Sequence, residues 1–255
     1  MSYFDNFPEV LYTFGSNGQV LGQQAFQNLN AYADVIDQFK DNIATYAYYN
    51  ILEGDRPDTL SAQLYGNPEF HWTFFLMNDH LRESGWPLER SQIDSYLAEK
   101  YPGTAIVTQD MFYGELNAAN NTAGPTLEIG DTVTGSQSSV SGTVTKLDPD
   151  NGQIITNATS LFTVGEAVRW RDSNEVLRSI SVESSTTHAN AIDHYESGTE
   201  YADIDPSVGG GILLTEVTIR DMVERRNEEL KEIRVIDPRY IDGVVESFQR
   251  AMSQG

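Results

Sequence analysis

The chain contains no cysteine, which excludes disulfides and thiolate metal sites. It is also poor in positive charge, with 16 basic residues against 38 acidic ones and a formal net charge of −22. Nucleic-acid binders need a basic surface to displace counterions from phosphates, so this balance argues against DNA or RNA as a partner. It argues equally against attraction to an anionic membrane. No apolar run is long enough to span a bilayer. No basic stretch followed by an apolar core opens the chain, so no secretory signal is expected. Nucleophile-elbow, P-loop and dinucleotide glycine patterns are missing as well. What remains is a 255-residue chain, 39% hydrophobic and rich in Tyr and Phe. It is long enough for one large domain or two to three small ones. The expectation is a soluble protein, or one whose partners present basic patches, used in a cytoplasm or in a particle assembled there.

The stretch from Gly54 to Leu88 organises the rest. Ala44–Leu52 is aromatic and suits a strand. Asp58 is placed to cap a first helix, whose Leu60, Leu64 and Tyr65 share one face. Gly66-Asn67-Pro68 breaks it, since glycine tolerates positive φ and the residue before proline is driven out of the helical region. Asn67 then caps a second helix with Pro68 at its first position. That helix carries Trp72, Phe74, Phe75 and Leu76, is apolar nearly all round, and should be buried. Gly85–Leu88 offers a short returning strand, giving a compact βααβ module.

On either side the pattern changes. Tyr3, Phe4, Phe7, Leu11, Tyr12 and Phe14 crowd the N-terminus, either covering the chain's own core or forming an arm on a neighbouring subunit. Ala25–Phe39 predicts a helix, and so does Ser91–Tyr101. From Ala105 the composition shifts to Thr, Ser, Gly and Val, and LEIGDTVTG, SVSGTVTKL, GQIITN, GEAVRW and Val176–Val182 read as strands. Asp150-Asn151-Gly152 signals a hairpin. A small β-barrel or sandwich of five or six strands is expected here. Ser184–Gly211 reads as irregular, Thr215–Leu230 as a helix, Glu232–Ile236 as a strand, and the residues after Asp237-Pro238 as a last helix with Tyr240, Ile241, Val244, Val245 and Phe248 inward.

Catalytic and metal chemistry finds no firm footing. The four histidines are His71, His80, His188 and His194. His188, His194 and the adjacent Asp193 match no strong zinc spacing, and structural or exposed histidines are the simpler reading. Asp148, Asp150 and Gly152 begin like a calcium loop, but Thr159 stands where its closing carboxylate belongs. Carboxylate pairs are always findable in an acidic chain and have no force here. No catalytic residue, cofactor site or metal site is assigned, and no enzymatic activity is expected.

The strand–helix–helix–strand order resembles a LysM-like domain. YGNPEFHWTFFLMND (Tyr65–Asp79), NEELKEIRVIDPRYIDGVVESFQRAM (Asn227–Met252) and YFDNFPEVLY (Tyr3–Tyr12) together resemble the baseplate wedge protein 53 family of contractile-tailed bacteriophages. The resemblance implies an α+β fold with a LysM-like βααβ core at 44–104, an N-terminal arm and helix at 1–43 and a C-terminal helical segment at 191–255; the β-rich stretch at 105–190 does not match the family and reads as an inserted domain. It implies a structural subunit of the virion, assembled in the host cytoplasm, which binds other wedge subunits. It would help join neighbouring wedges into a six-fold ring around the central hub, itself a further partner. Candidate interface residues on this reading are Tyr3, Phe4, Phe7, Asn227, Leu230, Arg234 and Ile236. The alternative is a peptidoglycan-binding tail or cell-wall protein that uses the LysM-like groove at Asp55–Leu60 and Asn78–Ser84.

Overall fold

The computed structural model describes residues 9–16, 19–27, 45–109, 127–172, 175–205 and 210–254. The chain divides into two compact units, one formed by Met1–Glu89 with Asn227–Gly255 and the other by Arg90–Arg226. The second unit therefore interrupts the first in sequence. It starts before the composition shift at Ala105 and runs past residue 190. Both helix and sheet are well represented, as an α+β chain requires.

In the first unit, β1 (Glu9–Ser16) and β2 (Gln19–Gln27) form an antiparallel hairpin. The helix expected from Ala25 is thus corrected over Ala25–Gln27, which pair with Glu9–Leu11 as strand. Residues 28–39 of that expected helix lie outside the described residues. β3 (Tyr46–Asn50) leads into α1 (Pro57–Tyr65). The cap of α1 is Arg56 and not Asp58. Pro57 takes the first helical position, where its missing N–H is harmless, so the extended residue before it becomes the cap. The Arg56 backbone N–H donates to Thr59 Oγ1 at 3.1 Å, and Asp58 sits in the first turn, where the helix dipole favours a carboxylate. Gly66, at φ 72°, closes the helix in the left-handed region. Asn67 Oδ1 then accepts from the Glu69 N–H at 2.9 Å, as its capping role predicts. A 3₁₀ turn (Pro68–His71) runs into α2 (Trp72–Met77), and Asn78 separates α2 from α3 (Asp79–Ser84).

The expected return strand at Gly85–Leu88 does not form. The partner of β3 is β14 (Glu232–Ile236), in antiparallel register from Glu232↔Asn50 to Ile236↔Tyr46. Gly85 at φ 88° and Pro87 at a position that would need a ladder donor both work against a strand there. The buried Asn78 welds β14 to the helices. Its amide donates to Phe74 O and Arg234 O, both at 2.8 Å, and accepts from the Arg234 N–H at 2.8 Å. α6 (Ile241–Gln254) completes the unit.

The all-round apolarity of α2 is explained by two packed faces. Phe74 joins Ile51, Leu60, Leu81, Ile233 and Val235 on one side. Trp72, Leu76 and Met77 meet Ile236, Ile241, Val245 and Phe248 on the other, as the reading of the last helix anticipates. Tyr240, also read as inward, is instead about half exposed, because the helix begins only at Ile241.

In the second unit, α4 (Arg90–Lys100) precedes β4 (Thr104–Val107). Then come β5 (Thr132–Gly135), β6 (Ser141–Asp148), β7 (Gln153–Thr156), β8 (Ala167–Arg171), β9 (Leu177–Ser181) and β10 (Ser184–Thr187). These seven strands follow the order β10-β4-β7-β6-β5-β8-β9. Every strand phrase read from the sequence after Ala105 contains a strand. Their alternate residues Val133, Val144, Val168 and Ile180 are buried together with Ile106, Ile154, Phe162 and Trp170.

The segment Ser184–Gly211 is corrected from irregular to largely strand. Besides β10 it holds β11 (Ile192–Ser197) and β12 (Glu200–Ala202). Thr215–Thr218, expected as the start of a helix, is β13, and α5 follows over Ile219–Glu229. β11 lies between β12 and β13 in a three-stranded sheet. These strands are polar because each buries only a few side chains, so their pairing decides the structure where composition does not. No described helix is long and apolar enough to cross a membrane.

Candidate interaction surface

Strand pairing places a small aromatic face on the first unit. Successive strand residues point to opposite sides, so β3 sends Tyr49 inward and Tyr46 and Tyr48 outward. Tyr49 packs on the Ile51–Leu60 cluster and its hydroxyl donates to Asp55 Oδ2 at 3.1 Å. Tyr46 is 42% exposed and Tyr48 67%, and their rings meet edge to face with centroids 5.7 Å apart. Arg234, opposite Tyr48 on β14, lays its guanidinium 5.5 Å from the Tyr46 ring centroid. A hydrogen bond with Tyr46, and the charge Tyr46 would carry, raise the Tyr48 pKa above the usual tyrosine range, so the Tyr48 phenol stays neutral at ordinary pH. The face therefore offers two flat rings, a planar cation held over one of them, and exposed Leu52 just beyond the strand. Such a combination suits protein contact, where Tyr and Arg contribute large areas at low entropic cost.

The candidate residues read from the sequence fall in different places. Arg234 stands on this face. Leu230 is half-buried against the Ile51–Leu60 cluster. Ile236 is wholly buried beside Trp72, and Asn227 is 6% exposed. The Asn227 side chain accepts from the Leu88 N–H at 2.7 Å and donates to Leu88 O at 3.0 Å, holding the two ends of the interrupted unit together. Asn227 and Ile236 thus work inside the fold in this structure, which satisfies their polar and apolar groups there. Tyr3, Phe4 and Phe7 lie outside the described residues. Sequence reasoning passed over Tyr46 and Tyr48, although the period-two alternation of TYAYYN carried the signal.

The groove suggested for a glycan is occupied in part by the fold itself. Asn78 is 2% exposed and its amide is fully engaged by Phe74 and Arg234. Trp72 is buried against Phe248, and Trp170 lies in the core of the second unit. Trp86 is half-buried and donates its indole N–H to Asp55 O at 2.7 Å.

Residues 2–97 match the family model described as base plate wedge protein 53. The wedge protein 53 region spans β1 to α4 and includes Tyr46, Tyr48 and the whole of α1–α3. This supports a structural role in a phage tail baseplate, as part of the virion and in contact with other baseplate components. The stretch Asn227–Met252, read as a second resemblance, lies beyond the matched residues. It is tied to the wedge protein 53 region by the β3–β14 ladder and by α6 packing on α2. No curated protein matches the chain.

Proposed function

We propose that this chain is a non-catalytic subunit of the baseplate wedge, in which a LysM-like first unit serves as a rigid docking block. The observation that carries the reading is the family match over residues 2–97, which covers the exposed Tyr46–Tyr48 face. The block binds other wedge proteins and helps join neighbouring wedges into a ring around the hub. β3 and β14 pair over the Phe74 core, so the aromatic face is presented without flexing, and little entropy is lost on docking. Tyr3, Phe4 and Phe7 add apolar contacts to the same partners. Many copies in a closed ring make modest pairwise contacts sufficient.

Co-expression with the other wedge proteins, followed by size-exclusion chromatography, tests this. Tyr46→Ser with Tyr48→Ser, or removal of residues 1–8, should leave a folded chain that co-elutes with its partners at least tenfold more weakly, equivalent to about 1.4 kcal/mol. Undiminished co-elution of both variants overturns the assigned surfaces. If the full-length chain joins no tail protein but is retained by purified peptidoglycan, the wedge reading falls and the glycan reading replaces it.

A further inference from the structure

His194 sits on β11 with a carboxylate at each ring nitrogen. Nδ1 lies 2.9 Å from Asp193 Oδ2 and Nε2 lies 3.2 Å from Glu196 Oε1. The residue is 8% exposed, so water does not substitute freely for either contact. A neutral imidazole has one N–H and one bare lone pair. Between two carboxylate acceptors, only the doubly protonated ring makes two hydrogen bonds, while either neutral tautomer turns a lone pair toward a carboxylate oxygen.

Other elements complete the cluster. From α5, Arg225 donates to Glu196 at 2.7 Å and 3.3 Å, which keeps that carboxylate charged and aimed. From β12, the Tyr201 ring stacks on the imidazole with centroids 5.0 Å apart and planes 16° apart. A charged ring over an aromatic face gains a cation–π attraction that a neutral ring lacks. β13 presents the apolar Val217 opposite His194, and its Glu216 faces Tyr195 instead. The turn before β7 contributes Asn151, which donates to the Asp193 carbonyl at 3.1 Å.

We propose that His194 is a proton-dependent clamp: as an imidazolium it fastens the β11–β12 hairpin to α5 through Glu196 and Arg225, and on losing its proton it lets β12 open. β12 is the weak member of this sheet. It has three residues, Glu200–Ala202, paired among the described residues to Tyr195, Glu196 and Ser197. Two of its ties, the ladder beside Glu196 and the Tyr201 stack, converge on His194. Opening it lifts Tyr201, already 70% exposed, from the imidazole and bares the β11 edge at Tyr195–Ser197.

The electrostatics run the same way. Burial alone lowers the His194 pKa, but the hydrogen bonds and charges of Asp193 and Glu196 outweigh it and bring it above the ordinary 6.5. The clamp therefore stabilises fully below the unfolded value near 6.5 and fades as pH rises through the folded value.

Nitrogen-15 NMR of the full-length chain reads the clamp directly. At pH 6.5 both ring nitrogens of His194 should carry protons in most molecules, and hydrogen exchange at Tyr195, Ser197 and Tyr201, corrected for intrinsic rates, should show opening that increases above this pH. The increase reaches about tenfold for each unit by which the folded pKa exceeds the unfolded one. Asp193→Asn, at a half-exposed position, should lower the His194 midpoint, and His194→Gln should leave the opening independent of pH. His71→Gln, in the other unit, should change neither. A neutral single tautomer of His194 at pH 6.5, or hairpin opening that ignores pH in the unsubstituted chain, overturns the proposal whether or not the variants fold.

Discussion

Replacing Trp72 with alanine is the sharpest test of the first unit. The side chain is 8% exposed and its ring lies 4.7 Å from that of Phe248, tilted by 35°. Burying an indole of about 200 Å² at about 25 cal/mol per Å² corresponds to roughly 5 kcal/mol. That figure is an upper bound, because the unfolded chain already shields part of the ring. The lost contact with Phe248 adds about 1 kcal/mol, and partial collapse of Leu76, Met77 and Val245 into the space recovers some of the loss. The expected destabilisation is about 3–5 kcal/mol. It should appear first in α6, which is 14 residues long and is anchored on α2 by Ile241, Val245 and Phe248. A helix of that length has little stability of its own in water. Because two units can unfold separately, the readout should be hydrogen exchange at α6 and β14 amides alongside denaturant melts. A loss below about 1 kcal/mol would refute the argument, since no buried indole leaves so small a mark. Equal protection of α6 in both proteins would show that α6 is not held by this stack.

Two further predictions concern the second unit and the consequence of removing it. Glu166 is wholly buried, and its carboxylate accepts from the backbone N–H groups of Gln137, Ser138 and Thr163 and from the Ser138 hydroxyl. Burial pushes its pKa up, but those four donors bring it down to about 2 from the usual 4.5. Its contribution is therefore present above pH 4.5 and lost as pH falls through 2. Glu166→Gln should destabilise the unit by about 2–3 kcal/mol at pH 7 and flatten its acid sensitivity, as melts between pH 2 and 7 would show. Excision of residues 90–226 with a short Gly/Ser bridge should leave the first unit folded, since Asn227 and Leu88 are already joined by two hydrogen bonds. Loss of the β3–β14 amide protection in the excised protein would show that the first unit depends on the second.

Legibility in the sequence followed the range of the interactions. The strands β5 to β9 were readable because each alternates apolar and polar residues between glycine-rich turns, a signal contained within a few residues. α2 was readable as buried because Trp72 to Met77 leave no polar face. The hairpin at Asp150-Asn151-Gly152 was also readable, although the loop runs over four residues, with Gly152 at φ 65° and the Asp148 carboxylate accepting from the Asn151 N–H. What failed was long-range. β11 is recognisable only through its neighbours, since Ile192, His194 and Tyr195 give it three buried side chains in a polar segment. Thr215–Thr218 continues the apolar spacing of the helix behind it, and pairing with β11 overrides that local pattern. The mate of β3 was sought nearby at Gly85–Leu88, whereas the chain supplies it after an entire intervening unit.

The same limit explains the interface candidates. A phrase such as NEELKEIRVI can recur because it closes the fold or because it meets a partner, and sequence alone does not separate the two. Ile236 packs in one cluster with Trp72 and Ile241, and Asn227 satisfies both backbone groups of Leu88, so each has a role inside the fold. Arg234 differs, because its backbone is consumed by Asn78 while its guanidinium remains on the outer face over Tyr46. A single residue thus links the closing strand to the aromatic face. In such a strand the backbone ladder and one side-chain face belong to the fold, and the opposite face meets solvent, where a partner can reach it. That division makes β3 with β14, rather than the C-terminal phrase as a whole, the part of the chain where contact with a neighbouring subunit is to be sought.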